Sequence, residues 1–231
     1  MSGQNLCARM SGHLGRYQKS CKNISRMHGV DGGQGQPLVN SPKKACDFDN
    51  FASDFAKRHQ LSYVSSSHKK SPRRLSSVDA IIMDSLHDKI ILVEFKYDKV
   101  GHPEKNKNGE EYHFVYNKSD SESERNYELW IYRKFTESLI MLISDCGLEF
   151  KECATKVQGL LVLNAGDNQL CCHTKNIKVG HSKHNYFKKL SDGVRGSNRR
   201  ELHTLRQLEG SLFSSVRVLS ETAFDDLFPN P

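Results

Sequence analysis

The chain has 231 residues, of which 36% are hydrophobic and 26% are charged, and its formal net charge is +7. This length fits one domain of ordinary size with a tail, and the basic balance favours an anionic partner such as nucleic acid without naming a function. No apolar run approaches the roughly 20 residues of a membrane-spanning helix, and no signal-peptide pattern follows the start. The sequence therefore predicts a soluble, intracellular protein of the cytoplasm or nucleus with no membrane partner.

The N-terminal part, residues 1–45, is rich in Gly, Ser, Gln and basic residues and has no apolar periodicity. This composition predicts a flexible basic segment that precedes a single domain over residues 46–231. A targeting peptide is one alternative, and a basic tail that contacts nucleic acid is another. The seven cysteines are scattered and odd in number, which predicts reduced thiols rather than a disulfide framework.

The pattern changes at Asp47, where aromatic residues take helical spacing. Phe48, Phe51 and Phe55 lie at i, i+3 and i+7 and predict a helix that ends near His59. A short strand over Leu61–Ser65 follows, and then a basic loop.

Two β-branched runs, residues 77–84 and 89–96, flank a polar turn and predict an antiparallel hairpin. With Ser85–Asp88 as the turn, Asp84 pairs with Lys89. Each step away from the turn adds one further pair of opposed residues.

The same register brings three charged side chains together. Asp79 falls directly opposite Glu94, and Lys96 shares their face because strand side chains alternate with period two. The rest of that face is apolar, through Ile81, Met83, Ile90 and Leu92. The opposite face is expected to carry Val78, Ala80, Ile82, Ile91, Val93 and Phe95. A charged trio in an apolar hairpin indicates a site rather than a solvated surface.

Five further elements complete the prediction. These are a second hairpin that includes Tyr112–Tyr116, a helix over residues 122–144, a buried strand Val157–Leu163, a strand Ser215–Leu219 and a short helix Ala223–Phe228.

The trio suits phosphodiester hydrolysis. A hard divalent cation stabilises the charge of the transition state and supplies a nucleophilic water at neutral pH. Asp79 and Glu94, with the backbone carbonyl of Phe95, are sufficient ligands for Mg²⁺, which keeps several waters, and Mn²⁺ can substitute. Lys96 is expected beside the attacking water, where it can orient that water or stabilise developing charge.

Asp79 together with Glu94-Phe95-Lys96 resembles the D…(E/D)-x-K signature of the PD-(D/E)XK nuclease superfamily. The element order over residues 47–164 is helix, strand, strand, strand, helix, strand, which resembles the αβββαβ core of that superfamily. The resemblance implies an α/β, restriction endonuclease-like fold with a central mixed sheet flanked by helices. It also implies a metal-dependent hydrolase, with a DNA endonuclease as the leading interpretation. Val78 replaces the proline of the signature, a position that often varies. Many members of the superfamily carry a further acid on the first helix, and Asp54 or Asp49 is the candidate here.

Nucleic-acid contacts are expected at two places. In the superfamily the second helix often lends a basic side chain to the substrate, which makes Arg133 and Lys134 candidates, although a solvated helix face explains them equally well. The basic stretch from Lys175 to Arg206 is the candidate for backbone contacts. Its selected residues are Lys183, Lys188, Lys189, Arg199 and Arg200. DNA is favoured over RNA, and a homodimer is compatible with the sequence.

Three alternatives stay open. The chain can be an inactive nucleic-acid-binding module of the same fold, or a protein-interaction domain whose charged cluster is only a salt bridge. A zinc site is the third alternative, with Cys171, Cys172, His173, His181 and His184 as its possible ligands. Adjacent cysteines fit poorly in one tetrahedral site, so thiols that bind no metal are favoured.

Overall fold

A computed structural model describes most of the chain. The residues described are 5–28, 34–64, 70–72, 75–97, 101–105, 112–116, 127–164 and 208–229. The helices are α1 (Leu6–Leu14), α2 (Cys21–Ile24), α3 (Phe48–Arg58), α4 (Tyr127–Asp145), α5 (Phe150–Lys156) and α6 (Glu221–Leu227), with a 3₁₀ turn at Gly15–Tyr17. The strands are β1 (Gln18–Ser20), β2 (Arg26–His28), β3 (Gln34–Pro37), β4 (Lys44–Asp47), β5 (Ser62–Val64), β6 (Lys70–Pro72), β7 (Ala80–Asp84), β8 (Lys89–Lys96), β9 (Gly101–Lys105), β10 (Tyr112–Tyr116), β11 (Val157–Leu163) and β12 (Ser215–Ser220).

A mixed, open sheet of six strands forms the centre of this α/β fold, in the order β1-β4-β7-β8-β11-β12. The first four strands pair antiparallel, whereas β8, β11 and β12 run parallel. Strand β11 reads Val-Gln-Gly-Leu-Leu-Val-Leu and is almost entirely buried, as expected for a parallel strand covered on both faces.

Helices cover both faces of the sheet. On one face α1, α3 and α4 pack over residues such as Ile81 and Leu92, with Phe51 and Phe135 at the contact. On the other face α2 and α6 cover the alternate side chains of the same strands. None of the helices in the described ranges combines the length and the apolar character needed to cross a membrane.

The structure confirms the predicted hairpin and its register. Asp84 pairs with Lys89 and Ala80 with Val93, around a turn at residues 85–88. One residue differs: Val78 belongs to the cluster on the Ile81 side, not to the face of Ala80. The reason is that β7 begins at Ala80, so strict alternation does not extend back to Val78.

The described part of residues 1–45 differs from the flexible segment that the sequence predicts. Helix α1 buries Leu6, Met10 and Leu14, which are spaced i, i+4 and i+8 and pack in the core. Strands β1 and β4 extend the central sheet. The apolar spacing is real but short, and a helix of this length depends on tertiary packing rather than on its own propensity.

Strand β5 also lies elsewhere than predicted. It pairs with β6 in a separate two-stranded sheet, and the central position beside β7 is taken by β4. Helix α5 was not indicated by the sequence pattern, whereas α3, α4, β11, β12 and α6 agree with the predicted elements.

Candidate active site

Asp79 and Glu94 lie side by side at the open end of the β7–β8 hairpin. The backbone N–H of Phe95 donates a hydrogen bond to Oδ2 of Asp79 at 2.7 Å, which fixes the carboxylate against strand β8. The carbonyl of Asp79 accepts a bond from the N–H of Phe48 at 3.1 Å, so the start of α3 holds its backbone. The two carboxylates therefore occupy one face, as the register predicts.

Glu94 is completely buried. Its Oε1 atom lies 2.6 Å from Nζ of Lys96 and 2.6 Å from Nζ of Lys134. Its Oε2 atom has no hydrogen-bond partner among the described residues. A buried carboxylate oxygen without a donor is costly, and such atoms in native structures call for an explanation, an unseen ion among them.

Lys134 reaches this cluster from α4. Its Nζ also lies 3.5 Å from Oδ1 of Asp79, so one ammonium bridges both carboxylates. The ring of Trp130, one helical turn earlier, lies below both amines, 3.9 Å from Nζ of Lys96 and 4.8 Å from Nζ of Lys134. These cation–π contacts orient the two ammoniums without using their N–H donors.

Burial raises the pKa of Glu94 to about 7, and the neighbouring Asp79 charge adds to the shift, while Lys96 and Lys134 act against it. For Lys134, burial alone would lower the pKa, but Glu94 and Asp79 raise it above the ordinary value. Near neutral pH, burial therefore favours the protonated form of Glu94 more than at an exposed glutamate, while Lys134 stays charged.

Helix α4 also anchors the segment that leads into Asp79. The N–H of Val78 donates to Oγ of Ser138 at 3.0 Å, and the N–H of Ser76 donates to the carboxylate of Glu137. Arg133, a predicted nucleic-acid contact, pairs with Glu137 at 2.7 Å on the exposed side of the helix. The position of Asp79 thus depends on α4 as well as on the hairpin.

The structure distinguishes the two candidate acids of the first helix. Asp49 accepts a hydrogen bond from Oγ of Ser77 at 2.5 Å and lies close enough to contribute to the raised pKa of Lys134. Asp54 instead accepts from the hydroxyl of Tyr17 at 2.9 Å. Only Asp49 borders the cluster.

Several predicted residues are separate from the cluster or outside the described part of the chain. The side chain of Phe95 packs on the opposite face, 5.6 Å from the ring of Phe224, while its backbone lies beside Asp79. Lys183, Lys188, Lys189, Arg199, Arg200 and the Cys171–His184 group fall outside the described residues. Within the part of the chain that the structure describes, no group of three or more His, Cys, Asp or Glu side chains is arranged to hold a metal.

Lys134 was predicted only as a nucleic-acid contact, but in the structure it bridges Glu94 and Asp79, and Trp130 and Ser138 were not predicted as site residues. Trp130, Lys134 and Ser138 recur at i, i+4 and i+8 and form one polar stripe, next to the buried residues Ile131 and Phe135. This spacing was a usable signal, since a polar stripe beside a buried one on a long helix indicates contacts with polar groups.

Comparisons of the chain with protein-family models, with curated proteins and with solved structures find no match. The four charged residues Asp79, Glu94, Lys96 and Lys134 are consequently the basis for assigning a function.

Proposed function

We propose that this protein is a divalent-metal-dependent nuclease that hydrolyses phosphodiester bonds, with DNA as its substrate. The observation that carries the proposal is the buried Glu94 carboxylate, whose Oε2 has no partner in the described part of the chain, beside Asp79 and two lysine ammoniums.

The two carboxylates fit a hard cation. Mg²⁺ and Mn²⁺ take oxygen ligands, and the unpartnered oxygen of Glu94 gives such an ion a ligand that no described donor occupies. Asp79 and Glu94 would hold the ion, and the backbone carbonyl of Phe95 is the proposed third ligand. When bound, the ion supplies charge stabilisation at the phosphate and acidifies a water.

The two lysines have different tasks in this proposal. Lys96 extends from the end of β8 and is the candidate catalytic lysine, which orients water or stabilises charge on the phosphate. Lys134 bridges Glu94 and Asp79, so it positions the carboxylates. Trp130 restricts both amines and helps to exclude water from them.

The topology supports a restriction endonuclease-like fold. With further elements such as α3 between them, α1, β4, β7, β8, α4 and β11 give the chain order helix, strand, strand, strand, helix and strand, and their strands are neighbours in the central sheet. In this αβββαβ order the first helix and first strand are α1 and β4, whereas the sequence pattern had indicated α3 and β5. Asp79 and Glu94 then stand on the middle pair of strands.

Charge supports a nucleic-acid substrate. Residues 165–207 contain nine Lys and Arg against three Asp and Glu, which accounts for most of the excess positive charge of the chain. This stretch begins directly after Asn164, whose N–H donates to the carbonyl of Lys96 at 3.0 Å. We propose its basic residues, with Lys183 and Arg199 among them, as contacts to the phosphate backbone.

The test is cleavage of DNA and RNA, in linear and circular forms, by the purified chain with Mg²⁺, Mn²⁺ or EDTA. We expect metal-dependent cleavage, and a loss of roughly 10³-fold in Glu94→Gln because the substitution removes a charged ligand. Glu149→Gln, which changes an exposed acid at the N-cap of α5, is the matched control and should cleave like the wild type.

Two results contradict the proposal in different ways. Substrate that is shifted in a gel but never cut, by a chain that binds Mn²⁺, favours an inactive binding module. Absence of any divalent-ion binding at Asp79 and Glu94 in a calorimetric titration favours a structural salt bridge, since two ammoniums already balance the two carboxylates.

A further inference from the structure

A cavity of about 320 Å³ opens between α1, α3 and α4, away from the acid–lysine cluster. It is lined by Gly12, His13, Arg16, Phe51, Arg58 and Asp145. Lys134 and Asp145 lie on the same helix, and the rise of an α-helix separates them by roughly 16 Å along its axis. The cavity is therefore a second location on the same side of the sheet.

Acidic groups near the cavity are already engaged. Oδ2 of Asp145 lies 2.7 Å from Arg58, and Oδ1 lies 2.8 Å from the ring of His59. Burial opposes ionisation of Asp145, but the bonds from Arg58 and His59 lower its pKa below the ordinary value. Asp54, one turn before Arg58 on α3, accepts hydrogen bonds from Tyr17 and Lys57. These carboxylates fix the lining and are poorly available to an external cation.

Basic groups, in contrast, keep donors for a ligand. The side chains of His13 and Arg16 make no hydrogen bond or ion pair within the described residues, although the charge of Arg16 acts on Asp54. The guanidinium of Arg16 stacks over the ring of Tyr17 at 4.8 Å. The guanidinium of Arg58 lies 5.5 Å from the ring centre of Phe51, on the cavity floor. Stacked guanidiniums are pre-oriented, and their N–H edges match the oxygens of a phosphate in a bidentate arrangement.

We infer that this cavity binds a phosphate group, carried either by a free nucleotide or by the backbone of a nucleic-acid strand. Its volume is at the lower end of the range for small-ligand pockets. The space beside Gly12 is open, because a Cβ built there would meet no atom within 4 Å. The inference stands on the lining alone and does not depend on catalysis at Glu94.

In the experiment, inorganic phosphate, deoxyadenosine monophosphate and an oligonucleotide without terminal phosphate are each titrated into the full chain, and binding is measured by calorimetry. Arg16→Gln removes the unpaired guanidinium, and Gly12→Glu places a carboxylate in open space on a helix that readily accepts a side chain. We expect both to weaken binding at least tenfold. Gly12→Gln matches the size of Gly12→Glu without its charge and should bind at least several-fold more tightly than Gly12→Glu.

Lys134→Met controls for binding at the candidate active site, and we expect its affinity for inorganic phosphate to equal that of the wild type. Binding of inorganic phosphate and the monophosphate but not the oligonucleotide identifies a nucleotide pocket, and binding of the oligonucleotide as well identifies a backbone contact. The inference is overturned if phosphate shows no saturable binding, if Arg16→Gln and Gly12→Glu bind like the wild type, or if only Lys134→Met loses binding.

Discussion

Two clusters of acids and bases stand at opposite ends of the β7–β8 hairpin, and their carboxylates are paired very differently. At the turn end, Asp88 accepts a hydrogen bond from the N–H of Cys7 at 3.1 Å and one from Lys156 at 2.6 Å. Glu152 accepts from Arg9 with one oxygen and from Lys156 with the other, at 3.4 Å. Each of these four oxygens has a donor.

At the open end, both ammoniums converge on one oxygen of Glu94, and the other has no donor among the described residues. The pKa values follow the pairing. Burial raises the pKa of Glu94 to about 7, whereas at Asp88 the effect of burial is outweighed by Lys156 and the Cys7 amide, so its pKa is lowered. Similar acids and bases thus form a structural ion-pair network at the turn end. At the open end they leave Glu94 with an oxygen that has no described donor and is available for chemistry.

The largest expected effect separates Asp79, at the open end of the hairpin, from Asp88 at the turn end. Asp79→Asn removes a proposed metal ligand but keeps an oxygen for the N–H of Phe95, so cleavage should fall roughly 10³-fold with little loss of stability. Asp88→Asn, at the turn end, should cleave like the wild type. Initial rates in Mg²⁺ measure both, and equal rates for the two variants would remove the functional distinction between the clusters.

The pH dependence of stability should also differ between the ends. Glu94 has its pKa raised from 4.5 to about 7, so the folded state keeps a proton that the unfolded state has released. Without metal, the free energy of unfolding should therefore fall between about pH 4.5 and 7, by on the order of 3 kcal/mol. Asp88 acts with the opposite sign, because its lowered pKa gives a contribution that is lost on acidification.

Chemical denaturation in EDTA across this pH range tests the assignment. Glu94→Gln cannot ionise, so its stability should lack the decline that the wild type shows. Parallel curves for the two proteins would show that Glu94 does not titrate as its burial implies.

Metal affinity and cleavage rate, measured together, should distinguish the roles of Lys96 and Lys134. Lys96→Met is expected to cut roughly 10²-fold more slowly, because a catalytic donor is lost. Lys134→Met removes a positive charge that bridges the carboxylates, so at pH 8 it should bind Mn²⁺ about tenfold more tightly and yet cleave more slowly. Calorimetry and cleavage rates provide the two measurements, and weaker Mn²⁺ binding in Lys134→Met would contradict the expectation that its charge competes with the metal for the carboxylates.

The smallest effect belongs to the turn end. Glu152→Gln weakens the ion pairs to Arg9 and Lys156, which should lower the free energy of unfolding by about 1 kcal/mol. Cleavage should be unchanged. A stability equal to the wild type, or a loss of activity, would show that the paired network is not simply structural.

The sequence by itself determined the hairpin and the meeting of its charged residues. The turn at residues 85–88 and the period of two place Asp79 opposite Glu94 because both are local properties of fewer than twenty consecutive residues. The aromatic stripe of α3 and the apolar run of β11 were recognisable for the same reason. In each case the pattern and the structure are set by neighbours in the chain.

Only the tertiary structure decided which distant groups complete the site. Lys134 is forty residues from Glu94 along the chain, and its arrival depends on how α4 packs across the sheet. The same packing selects Asp49 over Asp54 and places β4 beside β7 instead of β5. It also buries α1, whose short apolar pattern is stabilised by the core rather than by local propensity. Periodic spacing shows which face of a helix makes contacts but not which distant residues it meets, so packing decides those partners.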